Sequence, residues 1–216
     1  MSGHNSKRTG LSAISAARSL FDAYRGAIIR LDDALGPPFV AAVELIMDAE
    51  GHVVVCGMGK SGLIGRKIAA TLASTGTPSL FLHPAEAIHG DLGMVRRYDV
   101  VILISNSGET EEILRLLPAF QRLDAQIIAL TAIADSSLAK AARIVLDISV
   151  DREACPLNLA PTTSSMNTLV LGDAMSVALM EARGFAETDF AMTHPGGALG
   201  RRLLMKVREQ MRTDRL

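Results

Sequence analysis

Short apolar runs rich in β-branched residues alternate with longer amphipathic segments through the middle of the chain. Five of the runs predict β-strands, at 53–56, 79–82, 100–104, 126–130 and 144–148. Each run is too short for a buried helix and too apolar for a sheet with one solvated face. The segments between them predict helices, at 61–75, 109–123 and 136–142. This alternation predicts right-handed βαβ units around a parallel sheet covered on both faces.

Helical patterns also lie on either side of the strands. Residues 11–35 carry apolar side chains at helical spacing until a Gly-Pro-Pro sequence ends the helix, and a second helix is predicted to about residue 49. Residues 162–183 predict a helix that is apolar on nearly all sides and ends at Gly184. Such a helix is expected to be buried, here against another subunit. The polar residues 1–10 are expected to be flexible.

Composition and charge exclude several classes of partner. The 216 residues are 49% hydrophobic and carry a net charge of -1, with no tryptophan, so neither a basic face nor a stacking platform for nucleic acid is predicted. No apolar stretch approaches the roughly 20 residues of a membrane span, and the first ten residues lack the apolar core of a secretory leader. We expect a cytoplasmic protein without nucleic-acid or membrane partners. Cys56, inside an apolar run, is expected to be a core thiol.

The first candidate site is the glycine loop at 57–62, GMGKSG, which follows a predicted strand and opens a helix. Such loops bring a backbone close to an anion at a helix N-terminus, so Gly59 and Ser61 are expected to contact a ligand and Lys60 to direct its ammonium at it. A dinucleotide site would add an acidic residue at the tip of the second strand, which here reads Leu-His-Pro. A nucleotide-triphosphate loop would need glycine where Val54 stands. Both nucleotide interpretations are therefore disfavoured.

The second candidate site is the loop at 105–110, SNSGET, which follows the third predicted strand. Hydroxyl, amide and backbone donors are concentrated there at a helix N-terminus, where open α/β sheets bind ligands. The residues predicted to hold a phosphate are Ser105, Asn106, Ser107, Gly108 and Thr110. Glu112, in the first turn beyond the loop, is suited to move a proton between adjacent sugar carbons through an enediolate, which requires no cofactor.

Five longer strings resemble the SIS (sugar isomerase) domain family. They read GMGKSGLIGRK, ASTGTPSLFLHPAEAIHGDLGM, VVILISNSGETEEI, CPLNLAPTTSS and HPGGALGR. The chain is most similar to the arabinose-5-phosphate isomerases, which supply the precursor of 3-deoxy-D-manno-octulosonate for lipopolysaccharide synthesis in Gram-negative bacteria. The resemblance implies a three-layer αβα sandwich of flavodoxin-like type with a five-stranded parallel sheet, and a homotetramer with sites at subunit interfaces. It also implies reversible conversion of D-ribulose 5-phosphate to D-arabinose 5-phosphate.

The resemblance also implies roles for particular residues. The polar residues of the active site would be Lys60, His89, Glu112 and His194. Glu112 would be the base, and the two histidines would assist ring opening or polarise the carbonyl, in an order that the sequence leaves open. Thr162 and Ser164 would help to close the site. No metal is expected, because the histidines and their acidic neighbours lack the spacing of zinc ligands, although inhibition by adventitious zinc stays open.

The resemblance also divides the chain. Residues 11–205 correspond to the SIS domain, and residues 206–216 resemble the start of a pair of CBS domains that many relatives carry. A shortened chain and a natural single-domain member are equally consistent with this ending. Two alternatives for function also stay open: a sensor that binds a sugar phosphate without turnover, and an isomerase that acts on another sugar phosphate.

Overall fold

A five-stranded parallel sheet forms the centre of the computed structural model, which describes residues 3–196, with side chains from residue 12 onward. The strands are β1 (Val53–Gly57), β2 (Ser79–Leu82), β3 (Val100–Ile104), β4 (Gln126–Thr131) and β5 (Ile144–Asp147). Their order is β2-β1-β3-β4-β5, so the sheet winds in both directions from β1 and β3. All five predicted strands are confirmed. The αβα sandwich is confirmed as well.

Nine helices accompany the strands within residues 3–196. They are α1 (Gly3–Ala34), α2 (Pro37–Met47), α3 (Gly59–Ser74), α4 (Pro84–Ile88), α5 (Glu111–Leu114), α6 (Leu117–Arg122), α7 (Ser137–Ala141), α8 (Thr163–Ala182) and α9 (Glu187–Thr193). None of these helices is long and apolar enough to cross a bilayer. Helix α1 begins at Gly3, so the boundary predicted at residue 10 falls inside the helix. The reason is that a nucleated helix extends by one hydrogen bond per residue, even through polar sequence.

The chain departs from the predicted elements in three places. The single helix predicted at 109–123 is divided into α5 and α6, because Pro118 has no N–H to donate to the carbonyl of Leu114. Helix α4, a 3₁₀ turn after it and helix α9 were not predicted, since each is shorter than the two turns that make an apolar period visible. The tail at 206–216 lies outside the described residues.

The core is divided by the sheet into two apolar layers. Successive strand residues point to opposite faces, so Val55 and Ile102 pack towards α2, α3 and α8, whereas Val54 and Leu103 pack towards the helices between β2 and β5. Every residue of β1 and β3 is buried. This two-sided burial explains why both strands read as continuous apolar runs.

Helix α8 packs closely on α3 along one of its sides. A Cβ atom at Gly172 would lie 2.5 Å from the Ile68 side chain, so the glycine permits the close approach of the two helices. Leu171, Met175 and Leu179 are buried along this side, whereas Val177 on the other side is exposed. The prediction of burial against another subunit therefore applies only to the outward side. The burial of the inward side is supplied by the chain itself.

Candidate active site

The two predicted loops lie at the same edge of the sheet. β1 pairs with β2 on one side and with β3 on the other, and all three strands are parallel. Their carboxyl ends therefore meet, and the loop at 57–62 lies beside the loop at 105–110. The sheet changes its winding direction between β1 and β3, which is where open α/β sheets form a binding crevice.

The loop at 105–110 is held in shape by its own hydroxyl groups and by hydrogen bonds from residues 132–138. The buried Ser105 Oγ accepts a hydrogen bond from the Gly108 N–H at 3.1 Å and lies 2.7 Å from Thr110 Oγ1. Ser107 Oγ accepts from the Glu109 N–H at 3.2 Å. Thr110 is the N-cap of α5, so the loop delivers its polar groups directly to a helix N-terminus.

Gly108 makes the tight course of this loop possible. Its φ of 66° lies in the left-handed region, and a Cβ atom there would lie 2.0 Å from Ser136 Oγ. A glycine is therefore required twice, by conformation and by space. The predicted phosphate loop thus depends on a contact with the start of α7, which is distant in sequence.

The glycine loop at 57–62 brings α3 directly against the end of β1. A Cβ atom at Gly62 would lie 2.6 Å from the Gly57 carbonyl oxygen, so this glycine serves the packing of helix on strand as well as any ligand. Gly59 opens α3 with φ 56°. Lys60 follows in the first turn and is exposed, while Ser61 is half-buried.

A cavity of about 260 Å³ lies at this edge and joins three of the predicted residues, Ser61, Asn106 and Ser164. The remaining lining residues are Ile64, Ile148, Glu153, Asn158, Leu159, Pro161, Ser165 and Thr168. The cavity thus lies between both predicted loops, the end of β5 and the start of α8. Its size is suited to a small polar ligand.

Glu153 is the principal residue that sequence reasoning missed. Its Oε2 accepts from the Thr162 N–H at 2.7 Å, from Thr162 Oγ1 at 3.0 Å and from the Ser164 N–H at 3.3 Å, and its Oε1 accepts from Ser164 Oγ. Burial raises the pKa of Glu153, but the hydrogen bonds from Ser164 and Thr162 outweigh it, so the pKa lies below its ordinary value. A carboxylate is therefore fixed in its charged form at the N-terminus of α8.

The hydroxyls of Thr162 and Ser164, predicted to close the site around a substrate, hold Glu153 in this structure. Thr162 also accepts a hydrogen bond at its carbonyl oxygen from the Tyr24 hydroxyl at 3.4 Å. The segment is therefore tied to α1 as well as to α8. A role of the two hydroxyls towards a substrate stays a prediction.

Glu112 occupies the place that the sequence predicted, in the first turn of α5 beyond the phosphate loop, and is half-buried. Its neighbour Glu111 forms an ion pair with Arg115 one turn further along the helix. Helix α4 contacts α5, and His89 lies at the C-terminus of α4 with its side chain exposed. Glu112 and His89 are therefore brought to the same edge as Lys60.

His194 lies at the opposite edge of the sheet from the cavity. It caps the C-terminus of α9, where its ring stacks on Phe190 at 3.9 Å between centroids. The adjacent Thr193 Oγ1 donates to the carbonyl of Ser74, the last residue of α3, at 3.3 Å. Lys60 lies in the first turn of that helix, about 20 Å away along its axis. Within one chain, His194 does not join the other three predicted residues.

Within the described residues, no three His, Cys, Asp or Glu side chains are grouped so that they could hold a metal ion. Cys56 is fully buried, which confirms its assignment as a core thiol.

Comparisons with known proteins point to one family. The chain matches the SIS domain over residues 45–178. It is 58% identical over 201 residues to the arabinose 5-phosphate isomerase KdsD of Pseudomonas aeruginosa, covering 93% of this chain and 62% of that protein. It is 56% identical over 185 residues to the arabinose 5-phosphate isomerase GutQ of Escherichia coli K12, covering 86% of this chain and 58% of that protein. The chain thus spans about three fifths of the length of these relatives.

A solved structure is similar to this chain over most of its length. An Escherichia coli CFT073 protein in complex with arabinose 5-phosphate superposes with a TM-score of 0.83 at 44% identity, covering 86% of this chain and 98% of that one. The SIS match includes β1 to β5, both loops and most of α8. By its sequence and by the fold of its sheet, the chain belongs to the SIS domain family.

Proposed function

We propose that this protein interconverts D-ribulose 5-phosphate and D-arabinose 5-phosphate. The observation that carries the proposal is the meeting of two phosphate-type loops and an acidic first turn at one edge of the sheet, in a chain 58% identical to an arabinose 5-phosphate isomerase. The product would feed the synthesis of 3-deoxy-D-manno-octulosonate and lipopolysaccharide. That the reaction takes place in the cytoplasm stays a prediction.

The phosphate is assigned to the loop at 105–110. Ser105, Ser107 and Thr110 present hydroxyls there, and the loop ends at the N-terminus of α5, whose N–H groups favour an anion. Asn106 and Ser61 line the cavity beside it, so a sugar could extend from the phosphate into that space. The exposed Lys60 ammonium would supply the compensating positive charge.

The reaction moves one proton between adjacent carbons. Glu112 would accept a proton from C1 of the ketose, which forms an enediolate, and would return it to C2, while a proton moves from the oxygen on C1 to the oxygen on C2. A carboxylate in its charged form is suited to the first step, and the acid that results is suited to the second. Glu111 is the less suitable base, because its carboxylate is paired with Arg115.

A second copy of the chain would complete the site. His194 lies at the edge opposite Lys60, so any part that it plays in the reaction would be at the site of a neighbouring subunit. Leu157 and Leu159, next to the cavity, are 75% and 78% exposed, as expected of apolar side chains that an assembly covers. The proposal therefore includes a homotetramer with sites at subunit interfaces.

The test of the proposed activity is the Glu112→Gln variant, which preserves the shape of the side chain and removes the base. We expect exchange between ribulose 5-phosphate and arabinose 5-phosphate to fall about 10³-fold, while binding measured by calorimetry persists. Glu111→Gln is the matched control and should retain turnover within about threefold, because a surface ion pair contributes little. Unchanged exchange in Glu112→Gln would overturn the assignment of the base.

Two further measurements separate the proposal from its competitors. Lys60→Ala should weaken phosphosugar binding as well as the rate. A panel of pentose and hexose phosphates with the natural chain should give an aldose from ribulose 5-phosphate at the highest rate. Tight binding without any aldose would instead indicate a sensor, and faster turnover of another sugar phosphate would indicate a different isomerase.

A further inference from the structure

Helix α1 is the longest helix within residues 3–196, and only part of it is buried. It has 32 residues, which corresponds to about 48 Å of helix. Its C-terminal half packs on α8 through Ala27 and Leu31, which are buried. In its N-terminal half, every residue from Ser12 to Ser19 is exposed. These eight residues therefore have no apolar partner within the described part of the chain.

An apolar stripe runs along the exposed side of α1. Ile14, Phe21 and Ile28 follow one another at intervals of seven residues, and Leu35 continues the series directly after the helix. Their exposed fractions are 54%, 54%, 43% and 42%. A seven-residue interval places side chains on one line of a helix and is typical of helices that pair with another helix. This stripe is separate from the buried one that faces α8.

The charges beside the stripe are arranged for an antiparallel pair. Arg18, Arg25 and Asp32 each lie four residues beyond a stripe residue, on the same flank. In an antiparallel pair of two copies, Arg18 of each helix lies opposite Asp32 of the other, at both ends of the contact. Arg25 falls at the centre, where Asp22 of its own helix neutralises it. Neither Arg18 nor Asp32 forms an ion pair within residues 12–196, so both charges are available to a second copy.

A groove on the same chain can receive the exposed apolar side chains of a second α1 helix. A depression of about 230 Å³ lies between α1 and α8 and is lined by Ile28, Leu35, Val170 and Ala174 among others. Antiparallel pairing places Ile14 of the second copy opposite Leu35, and Phe21 of the second copy opposite Ile28. The projecting apolar side chains would therefore enter the groove that the second copy presents, twice per pair.

We propose that two copies of this chain associate through antiparallel packing of their α1 helices, with the stripe of Ile14, Phe21, Ile28 and Leu35 as the contact. Tyr24, at the centre of the contact, donates to the carbonyl of Thr162, and Arg30 pairs with Asp151. The pairing therefore lies beside the segment that holds Glu153. It forms one of the two interfaces that a tetramer with dihedral symmetry requires.

The test is a pair of charge reversals in the full chain, Arg18→Glu and Asp32→Lys, whose mass in solution is measured by analytical ultracentrifugation. Each variant alone places like charges together at both ends of the contact. We expect the association constant of this interface to fall at least about tenfold, so that the mass at low protein concentration halves. Arg122→Glu, at the end of α6, is the matched control and should leave the mass unchanged.

Mixing the two variants gives the decisive measurement. An antiparallel pair of one Arg18→Glu chain and one Asp32→Lys chain has opposite charges at both ends, so the mixture should regain the mass of the natural protein. This rescue also shows that both variants are folded. A natural protein with the mass of one chain, a mass unaffected by either reversal, or a mixture that stays dissociated would each overturn the proposal. All three outcomes are independent of whether the protein turns over a sugar phosphate.

Discussion

Two polar segments at the carboxyl edge of the sheet are stabilised in different ways. The hydroxyl groups of the loop at 105–110 form hydrogen bonds between residues two to five positions apart, such as that between Ser105 and Thr110, and the exposed Glu109 carboxylate accepts from the Ser137 N–H at 2.7 Å. The segment around the N-terminus of α8 is fixed by Glu153, which reaches forward nine residues to Thr162 and eleven to Ser164. The hydroxyl bonds of the first segment are local and neutral, whereas the bonds of the second segment are longer in range and are made to a half-buried carboxylate.

This difference determines how each segment responds to change. A neutral hydrogen bond contributes about 1 kcal/mol and does not titrate, whereas bonds to a partly buried carboxylate contribute more and depend on its charge. We therefore expect the hydroxyl network of the loop at 105–110 to be sensitive to space and conformation. The segment around Glu153 should be sensitive to charge and pH.

The largest effect is expected from Gly108→Ala. The added Cβ would lie 2.0 Å from Ser136 Oγ, and the backbone has φ 66°, so we expect the free energy of unfolding to fall by about 3 kcal/mol. Gly59→Ala is the matched control, because Gly59 has a similar φ of 56° and nothing lies within 4 Å of its Cβ position. It should cost about 1 kcal/mol. Equal losses in urea denaturation would show that space around Gly108 does not matter.

A smaller loss of about 2 kcal/mol is expected from Glu153→Gln, because the amide brings an NH₂ group towards four hydrogen-bond donors. The loss should depend on pH. The pKa of Glu153 is lowered in the folded chain, so its contribution is present above the pKa of the unfolded chain, about 4.3, and is lost as the pH falls through the folded value. Denaturation at pH 7 should separate the natural chain from the variant, and denaturation near pH 3 should separate them less. A difference that does not change with pH would contradict this account.

Ser105→Ala should lower the free energy of unfolding by about 1 kcal/mol, because it removes the buried hydroxyl that bonds to Thr110 Oγ1 and that shares the Gly108 N–H with the Ser105 carbonyl. Ser107→Ala provides the comparison within the same loop. Its hydroxyl is bonded at an exposed position, so the loss should stay below about 0.5 kcal/mol. Thermal denaturation of both variants measures the difference, and a larger loss in Ser107→Ala would reverse our ranking.

Alkylation of the folded chain should distinguish the two cysteines and should have the smallest effect on stability. Burial raises the pKa of the Cys56 thiol to about 12. The backbone N–H groups of Ala160, Leu159 and Leu157 lower the pKa of the Cys155 thiol, which lies in the segment next to the cavity. Iodoacetamide at pH 7 should therefore modify Cys155 and spare Cys56 until urea unfolds the chain, as peptide mass spectrometry would show. Cys155→Ser should remain unmodified while folded.

Most of the fold could be predicted from periodicity. The five strands are buried on both faces, so each appears in the sequence as an uninterrupted apolar run such as that of β3. The loops after β1 and β3 carry their own signals, glycines and hydroxyls at fixed spacing. The short helices α4 and α9 could not be predicted, because one or two turns bury too few residues to make a period.

The position of a candidate site residue could be predicted where it depends on its sequence neighbours. Glu112 follows the loop by two residues, so the sequence alone placed it in the first turn of α5. Glu153 lies just before the CPLNLAPTTSS string and outside it, and only the packing of α8 beside the end of β5 brings its carboxylate to the Thr162 N–H. His194 shows the opposite case, since the resemblance named it while the chain places it at the far edge of the sheet.

The sequence by itself determined the parallel sheet, the two loops and the residue types suited to a proton transfer on a phosphosugar, because these depend on neighbours within a few residues. Only the tertiary structure decided which groups share the cavity, that Glu153 is held charged beside Ser164, and that His194 and the apolar stripe of α1 face away from their own site. These depend on contacts between residues far apart in the chain. A local sequence pattern predicts that a helix forms, but it does not predict at which edge of the sheet a residue such as His194 will lie.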